Sequence, residues 1–206
     1  MRNMNTEYID TLRKEYIENH KREQERDELI HENHVEKRDV IGYHGREILE
    51  LLQNADDAYQ KSIDQGNRPS DDLIVEISYI DGCLKISNTG TFFDKDGIKA
   101  IVQGNNSPKK GKYIGNKGTG FRSILNWANS VRIFSGVFAV EFSKSYAKEI
   151  FDTIKDTPQI AKQLLKEKNL YIPMLAVPKN IPHDRPIDRT TIEVDVDPKK
   201  SRDEYS

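Results

Sequence analysis

A tight hairpin signal at Asp81 and Gly82 is the feature that most constrains the fold of this chain. An Asp-Gly pair between two β-prone runs, "LIVEISYI" and "CLKIS", predicts antiparallel strands joined by a two-residue turn. Further strands are predicted in "VRIFSG", "VFAVEFS", "LYIPMLAVP" and "RTTIEVDVD". Adjacent strands joined by tight turns are not typical of a doubly wound sheet. The pattern therefore predicts an α+β two-layer sandwich, with a mixed, mostly antiparallel sheet and helices on one face.

One predicted helix precedes these strands, and the others lie between them. Residues 43–64 carry one apolar stripe at the helical period, made of Ile48, Leu51, Leu52, Ala55, Tyr59 and Ile63. A short helix is predicted over residues 95–103, another in "FRSILNWA", and a longer helical region over 144–169 that is interrupted near Pro158.

The chain divides into three parts by composition. Residues 1–40 are dominated by charge and predict a helical arm that lies on the body at its start and then runs into solvent. The alternative is an arm that contacts another chain. Residues 41–197 form the predicted domain, and the tail 198–206 has no core-forming residues.

Composition excludes several classes of protein. The formal net charge of −2 gives no electrostatic argument for binding nucleic acid or an anionic membrane. No apolar run approaches the length of a membrane span. The single cysteine, Cys83, excludes an internal disulfide and fits a reducing compartment, so a cytoplasmic location is expected. The five histidines form no recognisable metal signature.

The first candidate site lies in "ELLQNADDAY", residues 50–59. Glu50, Asn54 and Asp57 recur at helical spacing, so they share one face, opposite the apolar stripe. Either this face is solvated, or it lines a pocket where the carboxylate activates a water and the oxygens hold a hard cation. The residues alone leave both alternatives open.

Two further segments carry candidate binding residues. In "ISNTGTFF", Gly90 allows the backbone to approach a ligand closely and Asn88 offers a donor and an acceptor; the alternative is a plain strand-ending turn. The glycine-rich "GNKGTGFRS", residues 115–123, leads into a helix, which suits phosphate binding. It fits neither a Walker A loop nor a dinucleotide fingerprint, which leaves a phosphate-binding turn of another design.

In this order, "LELLQNADDAY", "ISNTGTFF" and "YIGNKGTGFRSIL" resemble the GHKL ATPases, which include DNA gyrase, the ninety-kilodalton heat-shock chaperones, histidine kinases and MutL. The sacsin and No Vein branch is the most similar, and the resemblance covers about residues 43–143, with a looser continuation to "RTTIEV". It implies the Bergerat fold. The usual DxGxG box reads Asn-Thr-Gly-Thr-Phe here, so its acid and its final glycine are absent.

The resemblance also implies roles for individual residues. Glu50 corresponds to the general base that activates the attacking water, Asn54 to the Mg²⁺ ligand, and Asp57 to a nearby polar partner. Asn88 stands where most relatives have the aspartate that reads the adenine amino group, and Thr190 matches a strand threonine near the adenine. The remaining nucleotide-binding residues implied are Gly90 and, around the phosphate lid and turn, Gly115, Gly118, Thr119, Gly120 and Phe121. Residues 104–117 correspond to the ATP lid.

The expected function is an ATP-binding, Mg²⁺-dependent ATPase module, the N-terminal part of a longer protein, in which ATP drives closure of the lid. One alternative is a nucleotide-gated interaction module with little or no turnover, and another is a scaffold that binds no nucleotide. The expected partners are ATP, further domains of the same chain and, as an open alternative, a second copy in a homodimer. No membrane partner is expected, and nucleic acid is not indicated.

Overall fold

The computed structural model describes residues 4–22, 26–42, 45–64, 66, 73–103, 120–183 and 187–197. The α-helices in these ranges are α1 Met4–Lys21, α2 Glu28–Gly42, α3 Glu47–Asp64, α4 Lys95–Gln103, α5 Lys144–Ile154 and α6 Pro158–Lys166. The strands are β1 Val75–Ile80, β2 Cys83–Asn88, β3 Ala128–Ser135, β4 Phe138–Ser143, β5 Lys179–Asn180 and β6 Thr190–Val196. Two short 3₁₀ helices span Gly120–Asn126 and Met174–Ala176.

The strands form one sheet in the order β1-β2-β6-β3-β4-β5, and every described pairing is antiparallel. The predicted hairpin is confirmed, since Asp81 and Gly82 have φ of 51° and 79°, as a type I′ turn requires. The last strand, β6, lies between β2 and β3. The end of β2 and the start of β6 therefore lie side by side in the interior of the sheet.

The two faces of the sheet differ in chemistry. One face is apolar and packs against helices, and its buried residues include Leu84, Ile86, Val131, Ile133, Ile192 and Val194. The other face carries charged pairs: Glu193 lies 3.8 Å from the Lys85 ammonium and 3.1 Å from the Arg132 guanidinium. Helices cover the apolar face, so the predicted two-layer α+β sandwich is confirmed.

Helices α1 and α2 pack on the domain over their described residues. Ile9 and Leu12 of α1 belong to the main core, and Leu29 of α2 joins a second cluster with residues of α5 and α6. Where the apolar face of α1 fades, polar contacts replace it: the Tyr16 hydroxyl donates to Glu32 Oε2 at 2.7 Å. The start of the arm thus lies on the body as predicted, but its described continuation in α2 also packs on the body instead of running into solvent.

Two predicted elements differ in the structure. The sequence predicts a strand in "LYIPMLAVP", residues 170–178, but this segment contains the 3₁₀ helix Met174–Ala176. The strand that pairs with the sheet here is Lys179–Asn180, directly after the segment. Pro173 and Pro178 lack amide donors and cannot supply ladder hydrogen bonds. "FRSILNWA" forms the 3₁₀ helix Gly120–Asn126, and β3 begins two residues later. The predicted break in the helical region 144–169 is confirmed, since α6 begins at Pro158.

Candidate functional site

Helix α3 turns much of its polar face inward. Glu50 and Asp57 are both only 6% exposed, whereas Leu49 and Ile63 on the same helix are 49% and 44% exposed. For the face of Glu50, Asn54 and Asp57, opposite the apolar stripe, the sequence leaves a solvated face and a pocket lining as alternatives. The buried side combines Leu51 and Ala55 with the acidic positions, so a solvated face is excluded for the two carboxylates.

A cleft lies between α3, the end of β2, the loop 89–94 and the start of β6. Its empty volume is about 770 Å³, part of it open to solvent. The sequence-predicted residues that line it are Asn54, Asp57, Asn88, Phe121 and Thr190. Asn88 and Thr190 are register partners on neighbouring strands, which places them side by side. Residues from all three predicted segments, and from the last strand, thus meet in one cleft.

Glu50 lies beside this cleft and is not among its lining residues. It is one turn before Asn54 on α3, and its Oε1 lies 3.2 Å from an Arg46 guanidinium nitrogen. Arg46 is largely exposed while Glu50 is buried. The predicted base is therefore held in an ion pair at the N-terminal end of the helix.

Gly90 brings the loop after β2 against the backbone of α3. Its φ is +119°, and a Cβ at this position would lie 2.9 Å from both Ala58 C and Tyr59 N. The next residue, Thr91, donates its amide to the Ala58 carbonyl at 3.0 Å. This glycine is therefore required where the loop packs on helix α3, and the predicted close approach to a ligand stays a prediction.

Hydrogen bonds of hydroxyl groups link the loop 89–94 to strands β3 and β6 at the base of the cleft. Ser135 Oγ accepts a hydrogen bond from the Phe93 amide at 2.9 Å and lies 2.6 Å from Thr190 Oγ1. The Asn88 side-chain amide donates to the Thr89 carbonyl at 2.7 Å. These bonds fix the loop, β3 and β6 relative to one another, so the cleft is a preformed feature of the sheet.

The rim of the cleft is polar. The Lys61 ammonium lies 3.0 Å from Asp94 Oδ2, and Asp94 Oδ1 accepts from the Gly97 amide at 2.7 Å, which caps α4. Thr91 lines the cleft, and its buried hydroxyl has no hydrogen-bond partner among the described residues. A buried hydroxyl without a partner is costly, so a ligand in the cleft would gain by bonding to it.

Several cleft residues were not predicted from the sequence. Lys61 lies one turn after Asp57 on the same helix, and Asp94 precedes Gly97 by three residues in an N-cap pattern, so local signals existed for both. No local sequence signal pointed to Ser135, because its hydrogen-bond partners Phe93 and Thr190 are 42 and 55 residues away in the chain.

Part of the predicted site lies outside the described residues. This applies to Gly115, Gly118 and Thr119 and to the predicted lid over residues 104–117. Gly120 begins the first 3₁₀ helix. Among the residues that the structure does describe, no group of three or more histidine, cysteine, aspartate or glutamate side chains could hold a metal ion.

In the same described ranges, no helix is long and apolar enough to cross a membrane. The chain was also compared with known proteins: no protein-family model matches it, and no curated protein is significantly similar to it.

Proposed function

We propose that the cleft binds ATP together with Mg²⁺ and that the chain is an ATPase module of the GHKL type, with the Bergerat fold. The observation that carries this proposal is the meeting of Asn54, Asp57, Asn88 and Thr190 in one cleft with Phe121, from sequence segments far apart. The buried Thr91 hydroxyl in this cleft has no hydrogen-bond partner among the described residues, and leaving it unpaired costs free energy. A polar ligand that bonds to it would offset this cost.

We assign one part of the cleft to the base of the nucleotide and the other part to its phosphates. Asn88, Thr91 and Thr190 offer donors and acceptors for the edge of a heterocycle, and the apolar side chains of Phe93 and Ile101 also line the cleft. We assign the base to this end. Residues of α3 on the other wall would then face the phosphates.

Asn54 and Asp57 fit a Mg²⁺ ion that is shared with phosphates. This ion is commonly bound through one or two protein oxygens, with phosphate oxygens and water completing its shell. The absence of a three-residue metal group among the described residues is therefore compatible with it. When bound, the ion would neutralise phosphate charge during transfer.

Glu50 is the proposed base that takes a proton from the attacking water. Its position one turn from Asn54 places it near the proposed phosphate end, but its carboxylate pairs with Arg46 at 3.2 Å and does not line the cleft. It would have to leave Arg46 before acting as a base. This contact favours slow turnover, and it supports a second candidate function, a nucleotide-gated interaction module.

Calorimetric titration with ATP, with and without Mg²⁺, tests the binding proposal. Asn54→Ala should weaken Mg·ATP affinity about tenfold or more, as losses around metal sites usually do, while the melting temperature changes little. Gln53→Ala is the matched control, since Gln53 is a half-buried carboxamide next in sequence that does not line the cleft. Equal affinity of Asn54→Ala and wild type would refute the magnesium assignment, and no nucleotide binding by the wild type would favour the scaffold alternative.

Single-turnover phosphate release separates the two candidate functions. Glu50→Gln should slow hydrolysis by about 10²–10⁴-fold while ATP affinity stays within a few-fold. Asp56→Asn, on the same helix but outside the cleft lining, should leave the rate unchanged. Tight ATP binding without any phosphate release by the wild type would favour the interaction module.

A further inference from the structure

One edge of the sheet is open in the described part of the chain. Strand β1 stands at the end of the strand order, and β2 is the strand that pairs with it. The Thr89 amide donates to the Ile74 carbonyl at 3.1 Å, so the backbone groups of Ile74 point toward β2. Because these groups alternate in direction along an antiparallel strand, the N–H and C=O groups of Val75, Ile77 and Tyr79 point away from β2. They can form the ladder of a further strand.

The side chains of β1 are apolar and exposed. Ile77 and Tyr79 lie on the apolar face of the sheet, yet they are 49% and 58% exposed. Their register partners on β2, Ile86 and Leu84, are buried. On the opposite face, Ile80 is 66% exposed. Edge strands usually carry a lysine, a proline or a bulge that prevents pairing with another chain. Strand β1 has none of these, and its register with β2 is regular.

The opposite edge of the sheet is protected. Its strand, β5, consists of Lys179–Asn180, and Pro178 precedes it. The Asn180 side-chain amide donates to the Thr6 carbonyl at 3.0 Å, so α1 lies against this edge. A short strand, a lysine and a proline are usual means of blocking an edge. Pairing through β1 alone would therefore close as a dimer and would not continue into a fibre.

The sequence of the open edge is self-complementary. Residues 74–80 read Ile-Val-Glu-Ile-Ser-Tyr-Ile, and their order of apolar and polar positions is the same in both directions from Ile77. Two copies that run antiparallel about a two-fold axis at Ile77 therefore match apolar with apolar and polar with polar positions. The cross-strand pairs between the copies are Ile74 with Ile80, Val75 with Tyr79, Glu76 with Ser78, and Ile77 with Ile77. Pairs of aromatic and β-branched residues are favourable across strands.

This register also suits the backbone and the charges. It pairs Val75, Ile77 and Tyr79 with one another, and these are the residues whose N–H and C=O groups point outward, so they can form the hydrogen-bonded pairs of the new ladder. A shift of the register by two residues would set Glu76 against either Ile80 or a second Glu76, and like charges directly opposite are unfavourable. A second copy of the chain is therefore the partner that this edge fits.

We propose that the outer edge of β1 is a dimerisation surface, on which two copies of this chain pair antiparallel through residues 74–80 about a two-fold axis at Ile77 and form one continuous sheet. None of these residues lines the cleft, so the proposal does not rest on nucleotide binding. The pairing of one short strand is a small contact beside the roughly 1,200–2,000 Å² of a standard interface. We therefore expect a dimer that forms in the micromolar range and dissociates on dilution.

Sedimentation equilibrium of the nucleotide-free chain, from low to high micromolar concentration, tests the proposal. The wild type should change from monomer to dimer over this range. Ile77→Lys sets two like charges against each other on the axis and should weaken dimerisation about tenfold or more. Leu165→Lys is the matched control, because it adds the same charge at a leucine of α6 that is 87% exposed, and it should dimerise like the wild type. A wild type that stays monomeric throughout, or equal dimerisation of Ile77→Lys and wild type, would overturn the proposal.

Disulfide formation tests the register, and it does not depend on the lysine variant. In a Cys83→Ser background, Ile77→Cys should give a disulfide-linked dimer on oxidation, because directly opposed residues have a Cα separation that a disulfide can span. Tyr79→Cys should not, since the two copies of this residue would lie about 13 Å apart along the strands. Equal cross-linking of both variants, or of neither, would refute the two-fold axis at Ile77. Asn54→Ala should dimerise like the wild type, so failure of this surface and failure of the ATP site are distinguishable.

Discussion

Replacement of Gly90 by alanine tests whether this glycine is required by the fold or by a ligand. In the structure, φ of Gly90 is +119°, and an added Cβ would lie 2.9 Å from two backbone atoms of α3, Ala58 C and Tyr59 N. Backbone atoms of a packed helix cannot move aside as a flexible side chain can. Gly90→Ala should therefore destabilise the free protein, with no nucleotide present.

The magnitude has two contributions. A non-glycine residue held in a sparsely populated backbone region costs roughly 1–3 kcal/mol. Forcing an extra methyl group against well-packed atoms costs about another 1–3 kcal/mol. The sum, about 2–6 kcal/mol, is a large share of the roughly 5–15 kcal/mol that stabilises a typical domain.

Urea unfolding of the nucleotide-free protein measures this loss. Gly82→Ala is the control that isolates backbone strain, because Gly82 has φ of +79° and nothing within 4 Å of its added Cβ. It should cost only about 1–2 kcal/mol. If Gly90→Ala were no less stable than Gly82→Ala, the clash with α3 would be refuted, and a loss of ATP affinity alone would restore the ligand-approach interpretation.

Two further predictions concern the Ser135 hydroxyl and the buried imidazole of His20. Ser135→Ala removes the hydroxyl that joins Phe93 and Thr190, so it should cost about 1–3 kcal/mol and speed amide exchange at Phe93; unchanged exchange would contradict the proposed link. Burial lowers the pKa of His20, but the Glu32 carboxylate and the Tyr16 carbonyl outweigh it and raise that pKa above its ordinary value. The raised pKa means that His20 stabilises the fold fully below its unfolded pKa of about 6.5. This stabilisation is lost as pH rises through the folded pKa. Urea unfolding across pH should show wild type losing stability relative to His20→Gln over that window, and a pH-independent difference would refute the assignment.

The sequence by itself determined the fold class and the antiparallel hairpins of the sheet, but not the order of its strands. The Asp81–Gly82 turn and the alternating strands depend on local sterics and on a period of two, so they are readable without any knowledge of distant contacts. The same holds for the start of α6 at Pro158, since proline is preferred in the first turn of a helix. Part of the candidate cleft could also be named in advance: Asn54, Asp57 and Asn88 lie in motifs of the sequence, and Thr190 followed from the resemblance to a known family.

Tertiary structure alone decided which way those residues face. Sequence periodicity puts Glu50 and Asp57 opposite the apolar stripe of α3 and leaves open whether they are solvated; in the structure both are buried, and the loop at Gly90 packs on α3 at Ala58 and Tyr59. A hydrophobic stripe shows which side of a helix carries most of its apolar residues. Which side is buried also depends on the strands and loops that pack against the helix. The bonds of Ser135 and the packing of α2 on the body escaped prediction for the same reason. They join residues that the chain brings together only after the sheet has formed.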